Sequence, residues 1–465
     1  MPNRPYLFLE LTNSVCSICL KKVEAKVLLE NDNVFLQKRC GDHGMERVLI
    51  STDPEYYAKT RRYIKQAEMP HRWNTPIRYG CPYDCGLCPD HEQHSCLTIL
   101  EITDQCNLTC PTCYAASSPD RGPHRSLEQI CRMLDAVVAN EKEPDIVQIS
   151  GGEPTLHPQF FDILDAAKKR PIRHLMVNTN GVRIANDPDF AKKLKTYAPG
   201  FEIYLQFDSR KADALVSLRG KELRDVREKA LAQLNKHNIS TTLVVTLKKG
   251  VNDNEIGDLL RYALEQPCVR GVTFQPIQEA GRLEGYNHEH NRLTLSEVRQ
   301  RIIDQSSLFT AEDVIPVPCH PESLAMAYAL KTAKGPIPLT RWVDPNDLLE
   351  GTSNTIVFEK DAALQRKFFS LFSTAHSPAS AAESLKTLLC CLPQVDVPGE
   401  ITYDNVFRVI VMQFMDAHSL DVRSVKKSCV HIVHPDGRII PFDTYNIFYR
   451  DDNEMKLKKL QEARA

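Results

Sequence analysis

Three cysteines close together in the stretch CNLTCPTCY constrain this chain more than any other feature. Cys106, Cys110 and Cys113 follow the spacing C-x3-C-x2-C, and Tyr114 comes directly after them. Three thiolates at this spacing hold three irons of a cubane 4Fe–4S cluster and leave the fourth iron open to a ligand. A structural zinc site is the alternative, but it favours four ligands in two pairs. The strand-like run over 97–103 places the cluster loop at a strand's carboxyl end.

A second triad precedes the first in the segment GCPYDCGLCPDHEQHSC. It repeats the spacing and adds a fourth cysteine, giving Cys81, Cys85, Cys88 and Cys96. By spacing alone either triad could carry the open cluster, but only the later one follows a strand and leads into a long series of alternating strands and helices. We therefore expect the earlier set to hold a fully ligated auxiliary 4Fe–4S cluster. His91 or His94 could replace Cys96 as its fourth ligand.

The N-terminal region contains a third group of metal-ligating residues. Two short pairs flank about twenty residues of strand-like sequence, and the four side chains are Cys16, Cys19, Cys40 and His43. Two ligand pairs separated by a hairpin are typical of a zinc ribbon or a rubredoxin-like site. The thiolate-rich set does not decide between a mononuclear zinc and a mononuclear iron.

Composition limits the classes of function. The chain has 465 residues, 42% of them hydrophobic and 25% charged, which is typical of a globular protein of several domains. A formal net charge of -2 provides no overall electrostatic reason to expect a nucleic-acid partner. The opening residues lack the apolar core of a signal peptide, and no run of 18 apolar residues predicts a transmembrane helix, so we expect a cytoplasmic protein.

Alternating strand-like and helical patterns between Leu97 and about Gln278 predict an α/β fold. The candidate strands are 98–103, 145–150, 173–178, 202–207, 240–247 and 270–275. Six βα units in sequence favour a partial TIM-type (β/α)6 barrel with its chemistry at the carboxyl ends of the strands. The predicted domains are a metal-knuckle domain at 1–75, an auxiliary cluster segment at 76–96, the barrel at 97–285 and a C-terminal α+β domain at 286–465.

Polar residues follow the predicted strands where such a barrel would hold a cofactor. Gly151 and Gly152 allow close backbone approach, and Glu153 can accept hydrogen bonds from a cationic amine. The other candidates lie after the third and fourth strands and are Asn178, Asn180, Gln206 and Asp208, the last two as partners for ribose hydroxyls. Gln275 and Arg282, after the sixth strand, are further candidates to face the cavity.

These motifs together resemble the radical S-adenosylmethionine (SAM) superfamily. The resemblance implies that the Cys106 cluster binds SAM, that the GGE motif at 151–153 holds its methionyl amino group, and that Tyr114 also lies in the cofactor site. It also implies reductive cleavage of SAM to a 5′-deoxyadenosyl radical that abstracts hydrogen from an unactivated carbon. A small reductant protein such as flavodoxin or ferredoxin would supply the electron. A non-catalytic iron–sulfur electron carrier is the alternative of another class.

Nearly the whole chain resembles one branch, the archaeal tetraether lipid synthase and its relatives, some of which are assigned as pterin C-methylases. The segments that carry this resemblance include LEITDQCNLTCPTCY and HPDGRIIPF. It favours carbon–carbon bond formation on a lipid or similarly apolar substrate, with peripheral membrane contact, over C-methylation of a pterin-like molecule. Asp443 and Ser428 stand where that family often has cysteines, so two 4Fe–4S clusters are expected rather than a third near Cys319 and Cys429.

The C-terminal region contains apolar stretches at 368–372 and 406–415, which are candidates to line a substrate channel or to form core helices. A helical region at 361–389 and a small-residue connection at 373–384 are also predicted. Four further cysteines lie in apolar contexts that indicate core positions: Cys131, Cys268, Cys390 and Cys391.

Overall fold

A computed structural model describes residues 5–61, 68–332, 334–341, 405–450 and 453–463. Several predicted features lie outside these residues. They are the helix at 361–389, the connection at 373–384, the apolar stretch at 368–372, and Cys390 and Cys391.

The N-terminal region forms a four-stranded antiparallel sheet in the order β1-β2-β3-β4. Its strands are β1 (Leu7–Val15), β2 (Lys22–Glu30), β3 (Asn33–Cys40) and β4 (Gly44–Ser51). One face buries a small apolar cluster of alternate strand residues that includes Val27, Val34 and Leu36. The helix α1 (Pro54–Thr60) follows, and the Asp53 carboxylate caps it by accepting a hydrogen bond from the Tyr56 backbone N–H.

The predicted six βα units are present in the middle of the chain. Its strands are β5 (Leu97–Glu101), β7 (Ile146–Ser150), β8 (His174–Thr179), β9 (Phe201–Gln206), β10 (Thr241–Leu247) and β11 (Val269–Pro276). The short β6 (Thr112–Cys113) and β12 (Arg282–Leu283) pair with each other. The helices between the strands are α2 (Leu127–Glu141), α3 (Phe160–Lys168), α4 (Val182–Asn186), α5 (Pro188–Lys195), α6 (Ala212–Arg219), α7 (Arg224–Lys236) and α8 (Ile256–Glu265).

Strands from the C-terminal region continue the barrel sheet at both sides. The central sheet has the order β13-β14-β16-β11-β10-β9-β8-β7-β5-β17-β18, with β15 paired to β14. Both β16 (Val406–Met412) and β17 (Val430–Val433) run parallel to their barrel neighbours, β11 and β5. The boundary predicted at residue 285 is therefore crossed by one continuous sheet, and residues 406–412 form a strand rather than a helix.

The remaining C-terminal elements surround these strands. They are α9 (His288–Asn291), α10 (Leu295–Gln305), β13 (Ile315–Pro316), β14 (Leu324–Thr332), β15 (Gly335–Pro338), α11 (Val422–Val425), β18 (Ile439–Pro441), α12 (Phe442–Phe448) and α13 (Asn453–Glu462). Among the described residues, no helix combines the length and apolar character needed to cross a membrane.

The main core lies between the sheet and its helices. The apolar face of α2 repeats at helical spacing and buries Ile130, Met133, Leu134 and Val137 against the sheet. Strands β5 and β7 are buried at every position, as expected for parallel strands that are covered on both faces. Cys268 is fully buried in this core, whereas Cys131 on α2 is only partly buried.

Candidate metal centres and cofactor site

The loop after β5 holds the three cysteines of the first predicted cluster. The side chains of Cys106 and Cys110 are each 8% exposed, and Cys113 is half-buried in β6. Arg282 fixes this loop by donating hydrogen bonds to the carbonyl oxygens of Cys110 and Ser117, each at 2.6 Å. Arg282, proposed from the sequence to face the cavity, therefore positions the cysteine loop.

Gly281 permits this close approach of β12 to the cysteine loop. Its φ angle is +61°, and a Cβ atom there would lie 2.2 Å from the Tyr114 carbonyl oxygen. Any larger residue would therefore be strained and would push the loop away.

A cavity of about 160 Å³ lies between this loop and the carboxyl ends of the strands. It is lined by all three cysteines, by Tyr114, Gly151, Gly152, Asn178, Asn180, Gln206 and Gln275 among the sequence candidates, and by Met412, Phe414 and Phe442 from the C-terminal region. The parallel sheet explains this convergence, because consecutive strands end at the same edge.

Polar side chains at the strand ends form a connected chain of hydrogen bonds. Asn178 Nδ2 donates to Ser150 Oγ at 3.2 Å, and Gln206 Nε2 donates to Asn178 Oδ1 at 3.0 Å. Arg219 Nη2 then donates to Gln206 Oε1 at 3.2 Å and to Thr246 Oγ1 at 2.9 Å. The amide groups are held in fixed orientations facing the cavity.

The two glycines after β7 meet backbone rather than open space. A Cβ atom on Gly151 would lie 2.2 Å from the Thr103 carbonyl oxygen, and one on Gly152 would lie equally close to that of Gln105. The Gly152 N–H donates to Thr103 O at 2.8 Å. Both residues line the cavity, and their lack of a side chain also lets the GGE turn lie directly against the start of the cysteine loop.

Glu153 ties neighbouring strand ends together. Its carboxylate is 1% exposed and accepts hydrogen bonds from Thr155 Oγ1 at 2.6 Å, Thr179 Oγ1 at 2.8 Å and the Asn180 backbone N–H at 2.8 Å. Burial raises its pKa, and these donors oppose that shift. Glu153 is not among the residues that line the cavity. Asn180 does line it, and its Nδ2 donates a hydrogen bond to Asn107 Oδ1 at 2.7 Å.

Asp208 is fully buried and forms an ion pair rather than facing the cavity. Arg219 Nε donates to its Oδ2 at 2.7 Å and Arg219 Nη2 donates to its Oδ1 at 2.5 Å. Burial alone would raise the pKa of Asp208, but Arg219 holds it below its usual value. The expected contact between Asp208 and a ribose is therefore not supported by this geometry, because both carboxylate oxygens are engaged.

Arg219 and Arg227 line the cavity, and sequence reasoning missed both. Arg227 is 1% exposed, and burial lowers its pKa to about 10. Its Nε and Nη2 atoms have no hydrogen-bond partner among the described residues, although Nη2 lies 3.6 Å from Asp208 Oδ2. The guanidinium can therefore bind an anionic ligand group. No signal in the sequence separated these arginines from the solvated basic residues of α6 and α7.

The second cysteine triad lies beside a much smaller cavity. Cys81, Cys85 and Cys88 surround a space of about 10 Å³ with Asp90 and His91. This volume is less than a tenth of the one beside the Cys106 loop, so the larger space for ligands lies beside the Cys106 loop.

The prediction that Cys96 completes the Cys81 set is wrong. The Cys96 thiol instead groups with those of Cys319 and Cys429, all three buried and within 4.8 Å of one another. Leu97 pairs with Val430 where β5 and β17 meet, so the residues directly before these two strands come side by side. This pairing joins residues far apart in the sequence and cannot be inferred from cysteine spacing.

Two histidines lie next to these cysteine groups. His94 Nε2 lies 3.4 Å from the Cys96 thiol, and His94 Nδ1 lies 3.1 Å from Glu141 Oε2. His91 lines the small cavity of the Cys81 set, and its Nε2 lies 3.2 Å from His431 Nε2. Asp443 Oδ1 accepts a hydrogen bond from the Met415 N–H at 2.5 Å, and Asp443 Oδ2 accepts one from Ser428 Oγ at 3.5 Å.

This placement predicts how cysteine variants should group. Cys96→Ala, Cys319→Ala and Cys429→Ala should all lose the same equivalents of bound metal, because each removes one ligand from a shared site. Metal analysis of anaerobically reconstituted protein measures this loss, with Cys131→Ala as the control. If Cys96→Ala instead matched Cys85→Ala in iron content and spectrum, the shared site would be refuted.

The four N-terminal ligands come together as predicted. Cys19 Sγ lies 3.8 Å from Cys40 Sγ, and His43 Nδ1 lies 3.5 Å from both Cys16 Sγ and Cys40 Sγ. Thiolates bound tetrahedrally at about 2.3 Å from a zinc ion are separated by about 3.8 Å, so these residues fit one metal ion.

Comparison with known families supports these assignments. Residues 100–263 match the family described as the radical SAM superfamily, and residues 8–52 match the HMPTM N-terminal zinc ribbon domain. The second match favours zinc over iron at the N-terminal site.

Similar proteins cover different shares of the chain. The 7,8-dihydro-6-hydroxymethylpterin dimethyltransferase of Methanocaldococcus jannaschii is 32% identical over 96% of this chain and 95% of its own length. A GTP 3′,8-cyclase of Clostridium acetobutylicum is 26% identical over 51% of this chain and 70% of its own length. The solved structure of Streptococcus suis SuiB bound to S-adenosylmethionine is 17% identical over 45% of this chain and 46% of its own, with a TM-score of 0.37.

Proposed function

Because this chain belongs to the radical SAM superfamily, in the family of the 7,8-dihydro-6-hydroxymethylpterin dimethyltransferase, we propose that it C-methylates a pterin-like small molecule. The observation that carries this proposal is the similarity to that relative over nearly the whole chain. The coarser conclusions follow from membership: the protein is a radical SAM enzyme with the predicted fold, a 4Fe–4S cluster and SAM as cofactors, and a need for an electron donor.

The Cys106 triad is the proposed SAM-binding centre, and the cavity beside it supports this assignment. Bound together, the cluster and SAM would supply a carbon-based radical that removes hydrogen from a substrate carbon, and a separate one-carbon donor would supply the methyl group that takes its place. The chain's own residues position these groups. Arg282 holds the cysteine loop, Glu153 joins the strand ends beneath it, and Arg227 presents free N–H groups to an anionic group such as a carboxylate.

Polar groups in the cavity lining are compatible with a heterocyclic substrate. Amide and hydroxyl groups face the space from adjacent strands, including those of Gln148, Asn178, Tyr204, Gln206 and Gln275. A pterin ring presents several donors and acceptors that such groups can match, and an alkyl chain has none. Of the apolar stretch at 406–415, Met412 and Phe414 reach the cavity, and the strand's other residues pack in the sheet. The similarity to the pterin dimethyltransferase favours C-methylation of a pterin-like molecule over the expected lipid substrate and its peripheral membrane contact.

A substrate-dependent cleavage assay tests this function. The reconstituted enzyme is incubated without oxygen with SAM, a reductant and 7,8-dihydro-6-hydroxymethylpterin deuterated at its carbon-bound positions. We expect the pterin to stimulate 5′-deoxyadenosine formation and to transfer deuterium into it. Stimulation by phospholipid vesicles in place of the pterin, or release of 5′-deoxyadenosine without deuterium transfer, would contradict the proposal.

Flavodoxin or ferredoxin is the proposed physiological reductant, and the cytoplasm is the proposed location.

A further inference from the structure

A cluster of imidazole and carboxylate groups lies outside the cysteine sites. Glu279, His288 and His418 each bring one ligand atom to within 4.8 Å of the other two. Glu279 follows β11, His288 begins α9, and His418 lies between β16 and α11, so the fold brings three separate segments to one point.

The spacing within this cluster is compatible with three ligands of one metal ion. His418 Nε2 lies 3.0 Å from Glu279 Oε2, and the His288 and His418 rings stack with centroids 4.1 Å apart. Ligand atoms each about 2.0–2.2 Å from a metal lie about 2.8–3.6 Å apart, the shorter values for octahedral and the longer for tetrahedral geometry. Two imidazoles and one carboxylate suit divalent first-row transition metals, with further positions left for water.

A fourth residue orients the central histidine. Glu46 Oε1 lies 2.7 Å from His418 Nδ1, which places the Nδ1 proton toward Glu46 and turns Nε2 toward Glu279. Glu46 is itself fixed, because Ser17 Oγ donates to its Oε2 at 2.9 Å and Lys38 Nζ lies 3.4 Å away. A carboxylate behind a histidine is the usual arrangement of a metal-ligating imidazole.

We propose that Glu279, His288 and His418 bind one divalent first-row transition metal ion, such as Zn²⁺, with Glu46 as a positioning residue. The residues on either side of Glu279, Gln278 and Ala280, line the SAM cavity. Glu46 belongs to β4 of the zinc ribbon. The bound ion therefore connects the cavity wall with the N-terminal ribbon, at a site separate from the four ribbon ligands.

Zinc content of the cluster-loaded protein tests this site. Protein equilibrated with excess Zn²⁺ and freed of unbound ion should retain one equivalent more in the wild type than in His288→Ala or Glu279→Gln. His290→Ala is the matched control, because His290 lies in the same helix, is exposed and is outside the cluster. Glu46→Gln should weaken the affinity for Zn²⁺ by about 10–100-fold while leaving the ribbon zinc in place.

Equal zinc content in the wild type, His288→Ala and Glu279→Gln would overturn the proposal, and would mean that His418 is simply an imidazolium held between two carboxylates. Iron content and visible absorbance of each variant report whether its clusters and fold persist. If His288→Ala fails to fold, Glu279→Gln provides the comparison. If both variants fail to fold, the wild type and Glu46→Gln provide the test. A wild type that retains only the ribbon zinc refutes the site, and a second equivalent of zinc that binds more weakly to Glu46→Gln supports it.

Discussion

Cys110→Ala protein, reconstituted without oxygen, should release no 5′-deoxyadenosine above background from SAM and a reductant. The Cys110 thiol is one of three in the loop beside the large cavity, and a cubane left with two protein ligands cannot hold SAM productively. The loss of SAM cleavage should exceed the roughly 10–100-fold loss of activity that follows removal of a metal ligand's hydrogen-bond partner. Chromatographic measurement of 5′-deoxyadenosine checks this result.

Two comparisons make this test specific. Cys131→Ala changes a cysteine on α2 and should leave cleavage unchanged. Cys85→Ala should retain cleavage but lose methylated product, because the small cavity of its triad leaves no room for SAM. Full cleavage in Cys110→Ala together with its loss in Cys85→Ala would reverse the assignment of the two triads.

Asp208→Asn should destabilise the protein by about 3–5 kcal/mol, because it leaves a buried guanidinium without its counter-charge. Asp208 is the carboxylate partner of Arg219 and lies 3.6 Å from Arg227. The midpoint of thermal unfolding measures this loss. Asp225→Asn removes an exposed ion pair with Lys229 on α7 and should change stability by less than about 1 kcal/mol.

The effect of Asp208→Asn should also depend on pH. Arg219 lowers the pKa of Asp208 below its unfolded value, so the carboxylate's contribution is fully present above that unfolded value, near pH 4. It is lost as the pH falls through the lowered pKa of the folded state. The difference in unfolding midpoint between wild type and Asp208→Asn should therefore be constant around neutral pH and shrink only under acid conditions. A difference that shrank between pH 8 and 6 would exclude this cause.

Much of the barrel was predictable, because local patterns determine it. Buried parallel strands are continuous apolar runs, and the polar residues after them mark the cofactor edge of the sheet. The sixth strand, predicted at 270–275, is β11 at Val269–Pro276. The C-terminal strands were harder to predict, because the sequence of β16 is equally typical of a core helix. Only the pairing of β16 with β11 and β14 identifies it as a strand.

Sequence patterns identified most of the cysteines that the fold brings together, but not the residues that hold them in place. Metal-ligand spacing is local, so the three thiols of the Cys106 loop and the four ribbon ligands could be identified from sequence alone. Partnerships across the sheet are not local. The ion pair of Asp208 with Arg219 and the grouping of Cys96 with Cys429 depend on which elements become neighbours after folding.

The strand order has a consequence for how the polypeptide is made. Leu97 in β5 pairs with Val430 in β17, so the first strand of the barrel waits for a partner that leaves the ribosome more than 300 residues later. The strand at the opposite side, β11, likewise waits for β16. Until then the nascent barrel has two uncovered edges, and uncovered edges recruit strands from other chains. Production of the native enzyme therefore depends on keeping the incomplete sheet from pairing with other chains until β16 and β17 have been made.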